Sequence, residues 1–407
     1  MIQRIEGGVC SPKGFSAAGV AAGIKKQGKD MAMLCAGVPC TAAGTFTSNR
    51  VKAAPVLWDR DRIREQGQAQ VCVMNSGIAN ACTGEEGYEA CRDTAKIAAS
   101  VLGVPEELVL VASTGVIGRM LPMDRIEAGI RTMAGVLSDQ DAAGTDAARA
   151  IMTTDTKKKE TAVTFELGGK TVTIGGMSKG AGMIHPQMCT MLAFITTDAA
   201  ISSEMLQKAL SADIKETYNM ISVDGDTSTN DTCVLLASGL AGNPVIDSEN
   251  EDYETFCRAL HEVNAYLARH MAADGEGATA LLEVVVQGAA DHEQAAVIAR
   301  SVVSSNLVKT AVAGHDANWG RILCAMGYSG AGFDPEQVDL TLASRAGTLK
   351  IVEGGKALGY SEEAATQILS DDEITVTADL HEGSESATAW GCDLTHEYIS
   401  INADYRS

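Results

Sequence analysis

The chain has 407 residues, 45% of them apolar and 21% charged, which suits one large or two smaller folded domains and excludes disorder as its main state. Its 32 Lys and Arg stand against 53 Asp and Glu, a net charge of −21, which argues against a nucleic-acid backbone or an anionic membrane as partner. The opening MIQRIEGG lacks the apolar core of a secretory signal, no apolar run is long enough to span a membrane, and the 11 cysteines include no CxxC pair, so a cytoplasmic protein with reduced thiols is expected.

Aromatics are 4% and glycines number 41, which predicts an aliphatic core with many close backbone approaches. In chain order, Leu108 to Val111 reads as a strand, and Ala112 to Gly118 (ASTGVIG) as a small-residue turn after it. Ile126, Ile130, Met133 and Leu137 fall on one helical face, with Pro122 near the first turn. Val163-Thr164-Phe165 and Val172-Thr173-Ile174 flank Gly168-Gly169, the pattern of a tight hairpin. From Ser178 to Asp198 (SKGAGMIHPQMCTMLAFITTD) a Gly-rich approach ends in His185-Pro186, and Thr190 opens a β-like run. The acidic stretch Asp247 to Glu254 reads as a loop leading into a helix marked by Phe256, Leu260, Val263, Leu267 and Met271. Leu281 to Val286 reads as a strand, and Ile298, Val302 and Val303 mark a helix after Asp291. From Val338 on the pattern is mostly β: Leu340 and Leu342, then Ile374, Val376 and Ala378, then Tyr398, Ile399 and Ile401. Helices and strands without a regular βαβ rhythm predict α+β or a layered α/β sandwich.

Several chemistries are excluded by spacing. His261-Glu262, His381-Glu382 and His396-Glu397 each lack the second histidine of HExxH, so no zinc site is expected. No Ser or Thr follows Lys179 in its Gly-rich segment, so it is not a P-loop lysine, and the glycines near Gly7, Gly8 and Gly14 do not form GxGxxG. Asp224, Asp226 and Asp231 are expected to hydrogen-bond within their Ser/Thr/Asn-rich turn rather than to hold a metal. His315-Asp316 reads as a loop, since no serine or cysteine partner is indicated. Taken alone, Thr190 would be an ordinary strand threonine, Lys179 a surface lysine and Thr114-Gly115 an ordinary turn.

The order of the motifs changes that reading. KGAGMIHPQMCTMLAFITTDA resembles the self-cleavage segment of the arginine-biosynthesis glutamate N-acetyltransferases (ornithine acetyltransferases). The resemblance continues through STGVIG at Ser113 to Gly118, MTTDT at Met152 to Thr156 and SVDGDTSTND at Ser222 to Asp231. It extends through DGEGAT at Asp274 to Thr279, NWGRI at Asn318 to Ile322 and the terminal INADYRS. Cys189, Gln187 and Ala317 depart from the residues most usual there.

The resemblance implies an αββα sandwich of the self-cleaving N-terminal-nucleophile-like type, with a smaller C-terminal α/β region at residues 285–407. It implies cleavage between Cys189 and Thr190 into an alpha chain of residues 1–189 and a beta chain of residues 190–407, two of each forming a heterotetramer. It assigns Thr190 as nucleophile, the Thr114 hydroxyl and Gly115 N–H as oxyanion donors, and Thr154, Lys179, Thr190, Glu276, Asn402 and Ser407 as substrate contacts. The implied reaction is ping-pong: acetyl passes from N-acetylornithine to Thr190 and then to glutamate, with no metal or organic cofactor, and some members also take acetyl-CoA as donor.

The chemistry gives this arrangement a reason. A threonine hydroxyl is a weak nucleophile that needs a base beside it. Cleavage frees the α-amine of Thr190, whose reference pKa of roughly 7.7–8, against about 10.4 for lysine, leaves a neutral fraction at physiological pH. Charge alone pairs Lys179 with a substrate carboxylate and Glu276 with the ornithine ammonium. The rival readings are a self-cleaving aminopeptidase or amidase, in which water replaces glutamate, and a catalytically silent binding protein that keeps the fold.

Overall fold

A computed structural model describes residues 1–185 and 191–404. The fold is of the predicted mixed α/β class, with two sheets. The strands are β1 (Gln3–Ile5), β2 (Phe15–Val20), β3 (Met31–Phe46), β4 (Gln68–Ile78), β5 (Val109–Val116), β6 (Lys159–Leu167), β7 (Lys170–Lys179) and β8 (Leu192–Thr197). There follow β9 (Ile221–Ser222), β10 (Thr232–Ala237), β11 (Leu281–Ala289), β12 (Asp339–Ser344), β13 (Gly347–Glu353), β14 (Lys356–Ala357), β15 (Glu373–Asp379) and β16 (Glu385–Cys392). Two compact units divide them: one holds residues 1–180, 187–215 and 227–267, the other residues 181–186, 216–226 and 268–407.

The first unit is built on a nine-stranded sheet in the order β1-β6-β7-β8-β10-β3-β4-β5, with β2 also paired to β3. Strand periodicity decides what covers each face. Ala32 and Leu34, Cys72 and Met74, and Leu110 and Ala112 point to one side, where Ala147, Ala148 and Ala150 of helix Asp141–Ala150 meet them. Their sequence neighbours Met31 and Met33, Val71 and Val73, and Val109 and Val111 point to the other. There they meet Trp58, Cys91, Ala95, Ile126, Ile130 and Met133, from helices Ala54–Gln66, Gly84–Leu102 and Met123–Val136. The predicted helix after Pro122 therefore exists, and its apolar stripe is buried.

The predicted hairpin joins β6 to β7, pairing Val163 with Ile174 and Leu167 with Lys170. Gly168 and Gly169 take φ values of 53° and 73°, so both turn positions need the left-handed region. Helix Glu251–Ala273 follows the acidic stretch, whose Glu251, Asp252 and Glu254 lie in its first turn, where negative charge meets the positive end of the helix dipole. Its Phe256, Leu260, Val263 and Leu267 are fully buried.

The second unit has a seven-stranded sheet in the order β14-β13-β12-β15-β11-β16-β9. Leu282, Val284 and Val286 of β11, with Ile374, Val376 and Ala378 of β15, alternate inward as their spacing predicts. Helix His292–Ser304 buries Ala295, Ile298, Ala299, Val302 and Val303, and is capped by Asp291, whose carboxylate accepts the Gln294 N–H at 2.8 Å.

Two local expectations are corrected. Tyr398 to Ile401 is not a strand but part of helix His396–Ala403. Thr395 caps it by accepting the Glu397 N–H, and Tyr398 and Ile401, one turn apart, are its half-buried positions while Ile399 is exposed. Of the turn expected from Ala112 to Gly118, Ala112 to Val116 is instead the end of β5, where the register against β4 slips around Gly77 and Ile78. The slip is a local bulge that re-aims the strand end.

Candidate active site

The first unit gathers Thr114, Gly115 and Lys179 at strand ends. Thr114 and Lys179 are each 2% exposed, and the Lys179 ammonium lies 3.4 Å from the Thr114 hydroxyl oxygen, at the outer limit of a hydrogen bond. Lys179 is thus not the surface lysine that its composition suggests. A buried amide network holds the Thr114 strand end. The Ser113 hydroxyl donates to Asn75 Oδ1 at 2.6 Å, and Asn230 Nδ2 donates to the carbonyls of Ser113 and Ala79 at 2.7 and 2.6 Å. Gly115 takes φ 128°, and a Cβ there would sit 2.3 Å from the Gly77 carbonyl carbon. Only glycine allows that approach of two backbones.

Asp155 organises the cations. Its carboxylate accepts the Gly180 N–H at 2.7 Å and the Lys159 ammonium at 2.7 Å, with both side chains of the ion pair buried. Burial pushes its pKa up, but the charges of Lys159 and Lys179 and these hydrogen bonds outweigh that and hold it at about 2. Thr154, half-buried, is its chain neighbour. Lys25 donates to the Met152 carbonyl at 2.9 Å; burial lowers its pKa, the charges of Asp30 and Asp155 oppose this, and Lys179 adds to it.

Asp231 sits at the foot of β10, fully buried, and accepts the Met191 N–H at 3.2 Å. Burial drives its pKa well up, against the backbone bond and the Lys179 charge. Met191 directly precedes β8, so this contact fixes the start of that strand. The spacing Gly176-Met177-Ser178-Lys179-Gly180 matches GxSxG, but Ser178 is a buried interior position of β7, not an exposed strand-to-helix turn, so it is no nucleophile elbow.

The second unit gathers Glu276 and Asn402. Glu276 is 8% exposed, its carboxylate accepts Asn402 Nδ2 at 2.8 Å, and its backbone N–H donates to the Ala181 carbonyl at 2.9 Å. Gly182 packs on that carboxylate, where a Cβ would lie 2.4 Å from Glu276 Cδ. Asp224 binds the same Gly-rich segment through the Met183 and Ile184 N–H groups at 2.6 and 2.9 Å, and accepts the Tyr398 hydroxyl at 3.2 Å. These bonds reach segments distant in the chain, whereas the expected bonding within the turn is seen in the Asp226 N–H, which donates to Asp224 Oδ1 at 3.3 Å. Among the described residues no cluster of His, Cys, Asp or Glu is arranged to hold a metal.

Of the predicted site residues, the structure therefore joins Thr114 with Lys179, sets Gly115 at the bulge beside Thr114 and Thr154 beside Asp155, and joins Glu276 with Asn402. Cys189, Thr190 and Ser407 lie outside the described residues. Sequence reasoning missed Asp155, Asn75, Asn230 and Lys25 as parts of the site. Asp155 and Asn230 lie inside MTTDT and SVDGDTSTND, where the signal was present as motif and not as chemistry.

A mixed α/β fold that gathers a buried hydroxyl, a glycine at a strand bulge and a lysine beside a Gly-rich segment suits acyl-transfer chemistry. The chain belongs to the ArgJ family, whose model matches residues 16–407. It is 54% identical over 409 residues, with all of both chains covered, to the arginine biosynthesis bifunctional protein ArgJ of Symbiobacterium thermophilum. It is 49% identical to the protein of that name from Thermotoga neapolitana, with 97% of this chain and 99% of the relative covered. Among solved structures, the arginine biosynthesis bifunctional protein argJ of Bacillus halodurans is 41% identical over 47% of this chain and 98% of its own, with a TM-score of 0.44. The ornithine acetyltransferase of Mycobacterium tuberculosis, complexed with ornithine, is 39% identical over 47% of this chain and 100% of its own, with a TM-score of 0.43.

Proposed function

We propose that this chain is a self-cleaving acetyltransferase of arginine biosynthesis that moves acetyl from N2-acetylornithine to glutamate through an acetyl-threonine at Thr190. Membership of the ArgJ family and full-length relatedness to bifunctional ArgJ proteins support the reading. The observation that carries it here is the buried pairing of Thr114 with Lys179, at the end of the strand that leads into the Gly-rich segment before Thr190.

In the cleavage step, Thr190 Oγ attacks the Cys189 carbonyl carbon, and the peptide C–N bond breaks to leave an ester and a free Thr190 amine. Water then opens the ester, giving residues 1–189 with a new carboxylate and residues 190–407 with an N-terminal threonine. In the transfer step, the amine accepts the hydroxyl proton as Oγ attacks the acetyl carbonyl, and ornithine leaves. Glutamate reverses the sequence and carries the acetyl away. The Thr114 hydroxyl and Gly115 N–H stabilise the tetrahedral oxyanion, a contribution of about 2.7–4 kcal/mol per donor. Lys179 anchors a substrate carboxylate and Glu276 the ornithine ammonium, with Thr154, Asn402 and Ser407 completing the contacts. These steps use only protein groups and substrates. We further place the enzyme in the cytoplasm, as a heterotetramer of two alpha and two beta chains.

Mass measurement of the purified protein under denaturing conditions, with N-terminal sequencing, tests the proposal. Two species are expected, one beginning Thr190-Met191-Leu192. A single uncut chain of 42.4 kDa removes the proposed catalyst.

A further inference from the structure

The second unit carries Asn402 on helix His396–Ala403, and that helix is held mainly by polar contacts. It has eight residues and buries none of them fully. So short a helix is marginal by itself, and this one lacks the apolar stripe that usually fixes a helix to a core. On one side it borders a cavity of about 650 Å³, lined by Thr310, Ala313, Leu394, Tyr398 and Ile399, which leaves it room to shift. Three side chains anchor it. The Thr395 hydroxyl donates to the Gly277 carbonyl at 2.7 Å, the Tyr398 hydroxyl to Asp224 at 3.2 Å, and the Asn402 amide to Glu276 at 2.8 Å. Gly277 lies so close beneath the helix that a Cβ there would stand 2.6 Å from the Tyr398 nitrogen.

These bonds close a ring. Tyr398 and Asn402 are one helical turn apart, and the Asn402 amide also donates to the Tyr398 carbonyl at 3.0 Å. Asp224 accepts Tyr398 and, at 2.6 and 2.9 Å, the N–H groups of Met183 and Ile184. In the same Gly-rich segment the Ala181 carbonyl accepts the Glu276 N–H, and Glu276 in turn holds Asn402. Backbone donors on both sides fix the Asp224 carboxylate, so it is a firm point to dock on. Asn402 is exposed and depends on the placement of its helix to meet Glu276. Burial, with the Asp224 charge beside it, pushes the pKa of the Tyr398 phenol up, so Tyr398 stays a donor. We propose that Tyr398 is a positioning residue: its hydroxyl, set on Asp224, docks helix His396–Ala403 so that Asn402 and Glu276 meet the substrate together. The inference rests on the proposed substrate role of Asn402. Tyr398 need not touch the substrate itself. It sets the fraction of molecules with the helix docked, and apparent affinity falls with that fraction. Saturating substrate favours the docked helix and restores the rate.

The test compares the full-length protein, after its own processing, with Tyr398→Phe, Asn402→Ala and the double variant. Amide hydrogen exchange over residues 396–403 is read by mass spectrometry, and acetyl transfer from N-acetylornithine to glutamate by steady-state kinetics. Tyr398→Phe keeps the ring and loses only the hydroxyl. It should speed exchange in the helix about tenfold or more, the factor that loss of a hydrogen bond to a carboxylate predicts, with β11 and β16 unchanged. It should raise KM about threefold or more while kcat stays within about twofold, a split that general destabilisation would not produce. The double variant should bind substrate no worse than Asn402→Ala, because Tyr398 acts through that residue. Unchanged exchange in Tyr398→Phe overturns the proposal, and so do KM effects that add in the double variant. If Asn402→Ala leaves KM unchanged, or the wild type shows no transfer from N-acetylornithine, the proposed function fails at that point instead. Exchange in Tyr398→Phe then still upholds or overturns the docking on Asp224.

Discussion

At the residue scale, two buried groups carry distinct and separable roles. In the proposed mechanism Thr114 offers its hydroxyl to the oxyanion, and the Lys179 ammonium lies beside it. Thr114→Ala should lower the acetyl-transfer rate by about 10²–10³-fold, the usual loss for one oxyanion donor, while Tm changes little. Steady-state kinetics beside a thermal melt checks both; full activity in the variant would remove Thr114 from the mechanism. Asp155 is structural in a different way, because it holds a buried lysine and a backbone N–H at once. Its folded pKa of about 2 lies below the unfolded value of about 3.9. It therefore contributes stability that is fully present above about pH 4 and lost as the pH falls toward about 2. Asp155→Asn should abolish that segment of the pH–stability curve. It should also cost about 3–5 kcal/mol at neutral pH, because Lys159 stays buried without the Asp155 charge. Denaturant titrations of the two proteins across this range measure the difference.

At the element scale, the end of β5 shows how a strand becomes part of a site. Thr114 and Gly115 continue the ladder to β4, and the register slip at Gly77 and Ile78 lets the two backbones close on each other. Gly115→Ala forces a Cβ into the Gly77 backbone at φ 128°. It should destabilise the protein by about 1–3 kcal/mol or more, and impair acyl transfer because the strand end must move. A lowered Tm with intact transfer would mean that the Gly115 N–H is not an oxyanion donor. Much of this level was readable beforehand. The β6–β7 hairpin, the helix after Pro122 and the long helix around Leu260 each carry a period that matches one face, and burial follows it. The misreadings came where the local signal is ambiguous. Tyr398, Ile399 and Ile401 suit either a strand or a helix, and the Thr395 cap decides. Small residues at Ser113 to Gly115 suit either a turn or a bulged strand, and the partner β4 decides.

At the scale of the molecule, the proposed cut passes through the middle of a sheet. β7 precedes it and β8 follows it, yet β8 lies between β7 and β10, and β10 pairs with β3 through six residue pairs. The adjacent strands β8 and β10 of the second piece thus lie between β7 and β3 of the first within one sheet, and every residue of β8 is buried. After cleavage the two pieces should co-elute in gel filtration and separate only in denaturant. Spontaneous separation in native buffer would show that the sheet does not hold them. The long loop closures of such a sheet favour folding before cutting, since contacts far apart in sequence must form first.

The sequence by itself determined the α/β class, the acidic and aliphatic character, most element positions and the family. Each of these rests on local period, composition or contiguous motif. It also named Thr114, Lys179, Glu276 and Asn402, though only by resemblance. Tertiary structure alone decided that Lys179 is buried and reaches Thr114, that Asn75 and Asn230 lock that strand end, and that Asp224 ties Met183 and Ile184 to Tyr398. Those contacts link residues such as Thr114 and Lys179, or Ser113 and Asn230, that are far apart in the chain. Their partners are chosen by how strands pair and by the cost of leaving a buried charge or amide unsatisfied, which no local pattern records.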